Sequence, residues 1–286
     1  MKNFLAWVLV LVFLAGATYY LEQQCGIVTA VVNGSMTEEE EAEFVKQLHD
    51  GLLNREKKVV LQYRGNDADM ESFVKDSVNR AFELDDKNTS SDFDYMHYVH
   101  SATHVNMRGL YRVYTVEYEF DYLESREQTQ EVDRKIAKVI KNKISDTMSD
   151  YEKIKIIHDY IIDNVDYDTS IKQNSPYYAL VEGRSACQGY ATLLYKMATE
   201  VGIPCRVITG TAQGGLHAWN IVELDGEWYN IDATWDDPLG AFNASGVRYR
   251  YFLKSDSELL DHVRDDEFMT SQFYDEYPMA SRSYMK

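Results

Sequence analysis

Residues 183–191 read G-R-S-A-C-Q-G-Y-A, residues 202–207 G-I-P-C-R-V, residues 216–224 L-H-A-W-N-I-V-E-L and residues 226–237 G-E-W-Y-N-I-D-A-T-W-D-D. Three side chains in this stretch have the chemistry of an activated thiol: Cys187, His217 and Asp232. A thiol attacks as the thiolate, and a neighbouring imidazolium favours that form. A carboxylate on the other ring nitrogen fixes the tautomer and stabilises the charged ring.

Local patterning suits those roles. Cys187 stands between a small-residue turn and an apolar helical run of Tyr190, Ala191, Leu193, Leu194, Met197, Ala198 and Val201. That places the sulfur at a helix N-terminus, where the dipole and unpaired N–H groups favour an anion or a tetrahedral oxyanion. The backbone N–H of Gln188 is a candidate for that support. Gly202 and Pro204 end the helix. His217 opens an alternating strand, Asp232 closes the next, and Asp225-Gly226 marks a hairpin between them. The expected constellation is a helix-borne cysteine facing a two-strand His/Asp pair, with Trp219 and Trp235 flanking the cleft.

The segments S-A-C-Q-G-Y-A, H-A-W-N and W-Y-N-I-D-A-T-W-D-D together resemble the transglutaminase-like superfamily, within the broader papain-like group of thiol enzymes. The resemblance runs from roughly Tyr151 to Leu253, about a third of the chain. It implies Cys187 as nucleophile, His217 as general base and acid, and Asp232 as the orienting residue. It also implies an α+β core in which the cysteine helix packs on an antiparallel sheet. The sequence has no clear acidic calcium loop of the sort associated with the animal crosslinking enzymes, so no calcium requirement is carried over.

Composition bounds the rest. The chain has 286 residues, 45% of them hydrophobic and 13% aromatic, enough for a sizeable core and one or two domains. Its net charge of −18 repels phosphate backbones, so nucleic acid is not an expected partner. The three cysteines, Cys25, Cys187 and Cys205, form no C-x-x-C pair and no zinc pattern. No metal or cofactor is therefore expected, and Cys205 reads as a buried structural thiol.

Residues 1–21 read as a signal peptide or, in preference, a retained N-terminal membrane anchor, because Phe4 to Ala17 is an uninterrupted apolar run behind Lys2. Residues 22–36 read as a linker. Residues 37–125 are expected to form a small α+β domain with a helix capped at Thr37, a strand over 58–63 and a helix over 67–84. A hairpin of Phe93–Val105 and Leu110–Leu123 turning at Asn106–Gly109 completes it. His97, His100 and His104 fall on both faces of that first strand, which favours packing over metal ligation. Residues 126–286 are expected to hold the thiol-enzyme domain and a C-terminal tail, with helices over 128–144 and 149–165 and a closing strand over 248–253. His158 reads as a packing residue of the second of those helices.

Two functions fit. One is an exported thiol enzyme acting on protein or peptide amides through an acyl-enzyme, either a peptidase or amidase or a transglutaminase. The other is a catalytically silent interaction module of the same fold at the cell surface. An extracytoplasmic location, membrane-anchored or secreted, is expected for both.

Overall fold

The computed structural model describes residues 19–20, 34–87, 92–238 and 247–285. The apolar run at Phe4–Ala17 and most of the expected linker lie outside them. Among the described residues, no helix is long and apolar enough to cross a membrane. The described residues form two compact units, those up to Leu84 with Ala102–Asp121, and those of Asp85–Ser101 with Tyr122 onward.

The first unit opens with α1 (Glu38–Leu53), started by a reciprocal capping box between Thr37 and Glu40. Strand β1 (Lys58–Arg64) and helix α2 (Asp67–Phe82) follow. Strands β2 (His100–Leu110) and β3 (Val113–Tyr122) complete a sheet of order β1-β3-β2. Val59, Leu61 and Tyr63 alternate inward along β1, while Phe44 of α1 meets Phe73 of α2 edge-on at 5.0 Å. These contacts bury the two helices' apolar stripes against one face of the sheet.

Two local expectations fail here. The chain reverses at Tyr111-Arg112 rather than at Asn106–Gly109, and both turn residues are left-handed, with φ of 50° and 67°. A two-residue hairpin turn matched to strand twist needs that conformation, and neither residue type announces it. Phe93–Val99 is a helix, α3, not a strand. Phe93, Asp94, Tyr95 and Met96 are buried in succession and Val99 with them, a run that breaks the alternation of a strand with one solvent face. His97 is therefore helical and His100 begins β2, whereas His104 faces Asp121 at 3.6 Å.

The second unit carries α4 (Arg126–Lys143) and α5 (Asp150–Asn164), each begun by a serine capping box, at Ser125 and Ser149. The short parallel strands β4 (Asp166–Tyr167) and β5 (Arg184–Ser185) frame the approach to α6 (Cys187–Glu200). Beyond α6 come β6 (Cys205–Ala212), β7 (Gly215–Leu224), β8 (Glu227–Ile231), the one-turn helix α7 (Ala233–Asp236), β9 (His262–Arg264) and α8 (Ser271–Glu276). The main sheet has order β8-β7-β6-β9 and every neighbouring pair is antiparallel.

Helix α6 is buried over most of its surface, which accounts for its near-continuous apolar composition. It packs with Ile154, Ile157 and Ile161 of α5 and with Val207, Ala218 and Val222 of the sheet in one core. Asn220 pins it there, donating to Ala191 O at 2.9 Å and to Arg206 O at 3.2 Å. Arg206 and Asp94 form a buried two-pronged ion pair, 2.9 and 3.2 Å, that ties α3 to β6. The closing strand of the sheet is β9, not residues 248–253. Tyr251, Phe252 and Leu253 are buried in succession rather than alternately, and Tyr249 and Leu253 have positive φ, so that stretch wedges into the core as bends. The unit is thus α+β, with the cysteine helix laid on an antiparallel sheet.

Candidate active site

The cysteine turn is built from the loop before it. Asp168 gathers the loop by accepting from Ser170 Oγ and from the backbone N–H groups of Ser170, Lys172 and Gln173. Those bonds, led by that from Gln173, hold its carboxyl down at about 2. Gln173 O then receives Ala186 N at 2.7 Å and Ser185 Oγ at 3.1 Å. Ala186, the N-cap of α6, has no side-chain cap to offer. The first N–H groups of the helix consequently stay available to a ligand, and the sulfur sits at the positive end of the dipole. The side chain of Gln188 is engaged elsewhere, donating to Tyr98 O at 2.6 Å. Only its backbone N–H is left to serve an oxyanion.

The imidazole and the carboxylate come from the hairpin. Asp225 and Gly226 both take positive φ, 56° and 85°, and close a two-residue turn. The register pairs Asn220 with Ile231, so His217 and Asp232 lie just past the paired ends of β7 and β8. His217 Nε2 stands 2.7 Å from Asp232 Oδ2, and both side chains are buried. The other carboxylate oxygen, Oδ1, accepts from Thr234 N at 2.9 Å and Trp235 N at 3.1 Å. Asp232 is therefore both the brace of the ring and the N-cap of α7.

Charge follows from this packing. Burial alone pulls His217 down, but the charge and hydrogen bond of Asp232, with a further hydrogen bond and charge from Cys187, raise it to about 10. Burial pushes Asp232 up, and the two histidines beside it outweigh that, leaving it well below the usual carboxylate range. Asp232 takes Nε2, which leaves Nδ1 for the thiol. Cys187, His217 and Asp232 are thus brought together.

Trp219 and Trp235 are 1% and 3% exposed. They wrap the imidazole, with ring centroids 6.0 and 5.3 Å from that of His217, and keep water from its flanks. Tyr167 on β4 was not anticipated as part of this region. It pairs in register with Ser185, two residues before Cys187. Burial first, and then the charges of Cys187, Asp168 and Asp232, push its hydroxyl up to about 12, so it stays a neutral donor. Its Asp-Tyr context offers no sequence signal beyond proximity to the motif.

His262 was also missed. Its Nε2 lies 3.0 Å from Asp232 Oδ2, the oxygen that His217 already engages. His217, Asp232 and His262 offer ligand atoms within 4.8 Å of one another, the one such group of three among the described residues. The 2.7 and 3.0 Å separations are those of charge-assisted N–H···O bonds, which account for the cluster without an ion.

Residues 137–233 match the model of the transglutaminase-like superfamily. The chain carries a transglutaminase-like domain. Among curated relatives, mouse kyphoscoliosis peptidase is 25% identical over 150 residues, which cover 46% of this chain and 23% of that protein. The human kyphoscoliosis peptidase is 27% identical over 119 residues, 35% of this chain and 18% of that one. The matched stretch thus spans less than a quarter of either relative. Among solved structures, the crystal structure of a TGase is similar at 18% identity over 48% of this chain and 45% of that one, with a TM-score of 0.35. The site described above sits in the transglutaminase-like domain and its immediate continuation, because Asp232 falls just inside the matched residues and His262 beyond them.

Proposed function

We propose that the transglutaminase-like domain is a thiol peptidase that cleaves protein or peptide amides through Cys187, His217 and Asp232. The observation that carries this is the 2.7 Å bond from a buried, carboxylate-braced His217 that also interacts with Cys187. The thiolate adds to the amide carbonyl carbon, forming a C–S bond and an oxyanion that the N–H groups at the start of α6 receive. His217 delivers its proton to the leaving nitrogen, the C–N bond breaks, and a thioester remains. Water, deprotonated by His217, then attacks the thioester and releases the carboxylic acid and the thiol. Asp232 stays ionised throughout and stabilises the imidazolium.

Hydrolysis is preferred to amine transfer because the two curated relatives are named as peptidases. The site's residues permit either, since the acceptor depends on how completely the bound substrate excludes water. A peptide library profiled by mass spectrometry, with Cys187→Ala as control and a fluorescent primary amine as competing acceptor, tests the reading. New peptide termini lost in Cys187→Ala support it. Amine incorporation in place of cleavage reassigns the domain to acyl transfer, and no turnover with slow labelling of Cys187 would leave a non-catalytic module.

The N-terminal apolar run leads us further to propose an extracytoplasmic enzyme held at the membrane by residues 1–21. Membrane fractionation together with N-terminal sequencing of the mature protein tests this. A soluble product beginning after residue 17 would replace the anchor with a cleaved signal.

A further inference from the structure

The histidine on β9 has no part in the reaction sequence above, yet it is bound into the site on both ring nitrogens. His262 Nε2 lies 3.0 Å from Asp232 Oδ2 and Nδ1 lies 3.0 Å from Asp261 Oδ1. Its side chain has no exposure to solvent. Four aromatic rings box it in, with centroids of Trp235, Trp219, His217 and Tyr251 at 4.8, 5.0, 5.3 and 5.4 Å. The ring therefore has one orientation, and that orientation aims a donor at the triad carboxylate.

The sheet shows how the two imidazoles reach one carboxylate from separate strands. Gly210 of β6 pairs with His217 on one side and with Arg264 on the other, and Ala212 pairs with His262. Directly paired residues share a face, so the β6 positions between the two histidine strands are a glycine and an alanine. A Cβ at Gly210 would stand 2.0 Å from Val263 O. The missing side chain is what lets β9 approach closely enough to deliver His262.

We propose that His262 is a positioning residue of this site, a second N–H donor that fixes the Asp232 carboxylate in the orientation that braces His217. The proposal rests on the reading of Cys187, His217 and Asp232 as a working triad. Asp232 spends Oδ1 on two backbone N–H groups and divides Oδ2 between two imidazoles. With every lone-pair direction occupied, the carboxylate cannot rotate away from His217 during the proton transfers. A carboxylate held only by its cap and by His217 would be free to swing when that imidazole changes charge. The charged and titratable groups facing His262 are Asp232, Asp261 and His217, with the Tyr251 hydroxyl bonded to the far oxygen of Asp261 at 2.7 Å.

Two amides separate the two contacts. In His262→Gln the amide nitrogen falls near the lost Nε2 and keeps a donor on Asp232. In His262→Asn it falls near Nδ1 and keeps only the Asp261 contact. The rate of iodoacetamide labelling at Cys187, quantified by peptide mass spectrometry across pH 5–10 on the full chain, reads the effect without any substrate. Expected are a rate within about threefold of wild type for His262→Gln, and a loss of tenfold or more for His262→Asn. The alkaline limb of the asparagine variant also moves to lower pH, because a loosened carboxylate stabilises the imidazolium less. Equal rates for the two variants, or an unmoved limb, overturn the proposal, since a purely structural histidine would lower both melting temperatures and leave the profile in place. Fast wild-type labelling with unaffected variants sinks this inference alone, whereas slow wild-type labelling with ordinary thiol pH dependence sinks the triad reading and this one with it. Wild-type protein labelled with 15N-histidine gives a readout that needs no variant to fold. An Nε2–H signal of His262 that exchanges slowly with water supports the bond to Asp232, and an Nε2 that carries no proton overturns it.

Discussion

His158 Nε2 stands 3.1 Å from Asp236 Oδ2, and neither side chain has any solvent exposure. Asp236 Oδ1 also accepts from Tyr251 N at 2.9 Å. The pair therefore anchors α7, the short helix whose N-cap is Asp232. His158 Nδ1 is 3.5 Å from Asp159, long for a hydrogen bond, so Asp236 supplies the buried bond and Asp159 adds its charge. Breaking a buried pair strands the remaining group in a poor solvent. Asp236→Ala is expected to lose about 3–5 kcal/mol in urea unfolding. Burial lowers the affinity of His158 for its proton, but the two carboxylates override this and raise it. A raised histidine contributes fully below the unfolded value of about 6.5 and fades as pH rises through the folded one. The loss should accordingly be larger at pH 6 than at pH 9, and a pH-independent loss would contradict the assignment.

Asp232→Asn separates the two jobs of that carboxylate. The amide oxygen still accepts from Thr234 N and Trp235 N, so α7 keeps its cap. The amide nitrogen, placed at Oδ2, would face two N–H donors. Peptide turnover and Cys187 labelling should fall by roughly 10³–10⁴-fold, by analogy with loss of the orienting carboxylate in serine triads. The melting temperature should fall as well, because two buried imidazoles lose their carboxylate. Activity within tenfold of wild type would show that the ring needs no brace.

The charge on His217 makes a third prediction. Its value of about 10 lies above the unfolded one of about 6.5, so its ionisation stabilises the fold fully below the lower figure. That contribution declines as pH rises through the folded value of about 10. The stability difference between wild type and His217→Ala should therefore shrink steadily between pH 7 and 10.5 in chemical denaturation. Labelling of Cys187 should fall by roughly 10²-fold in the same variant, because the sulfur loses the imidazole beside it. A stability difference that is flat with pH would mean that the ring is neutral in the folded protein.

Gly210→Ala tests the close approach of β9. The new methyl would meet backbone at both Val263 O and Arg264 Cα, 2.0 and 2.9 Å away, and backbone does not rotate aside. Overpacking of this kind costs about 1–3 kcal/mol and shifts the strand. The melting temperature and Cys187 labelling should fall together, because the displaced strand carries His262. A variant as stable and as reactive as wild type would show that the strand has room to spare.

Much of the placement of Cys187, His217 and Asp232 was legible in the chain. Cys187 could be placed at a helix start because a small-residue turn precedes an apolar run, and both are local signals. His217 and Asp232 could be joined because Asp225-Gly226 specifies the hairpin that pairs their strands. The capping residues Thr37 and Ser149 likewise declared two helix starts. Where local signals competed, they misled. Phe93–Val99 is aromatic and β-branched enough to read as a strand, but Phe93 to Met96 are buried in succession instead of alternately. Residues 248–253 alternate weakly, and their three consecutive buried side chains make them a wedge.

The order of residues by itself determined the helix that begins at Cys187, the hairpin and hence the cysteine, histidine and carboxylate at their stations, since each depends on turns and periodicities a few residues long. What only the folded chain decided is the company those residues keep. His262, thirty positions from Asp232 and in no motif, reaches it because a short ninth strand packs against β6 at a glycine. His158 reaches Asp236 across 78 positions because α5 packs beside α7. Contacts of that range are set by how whole elements pack, and packing leaves no periodic trace in the sequence around either partner.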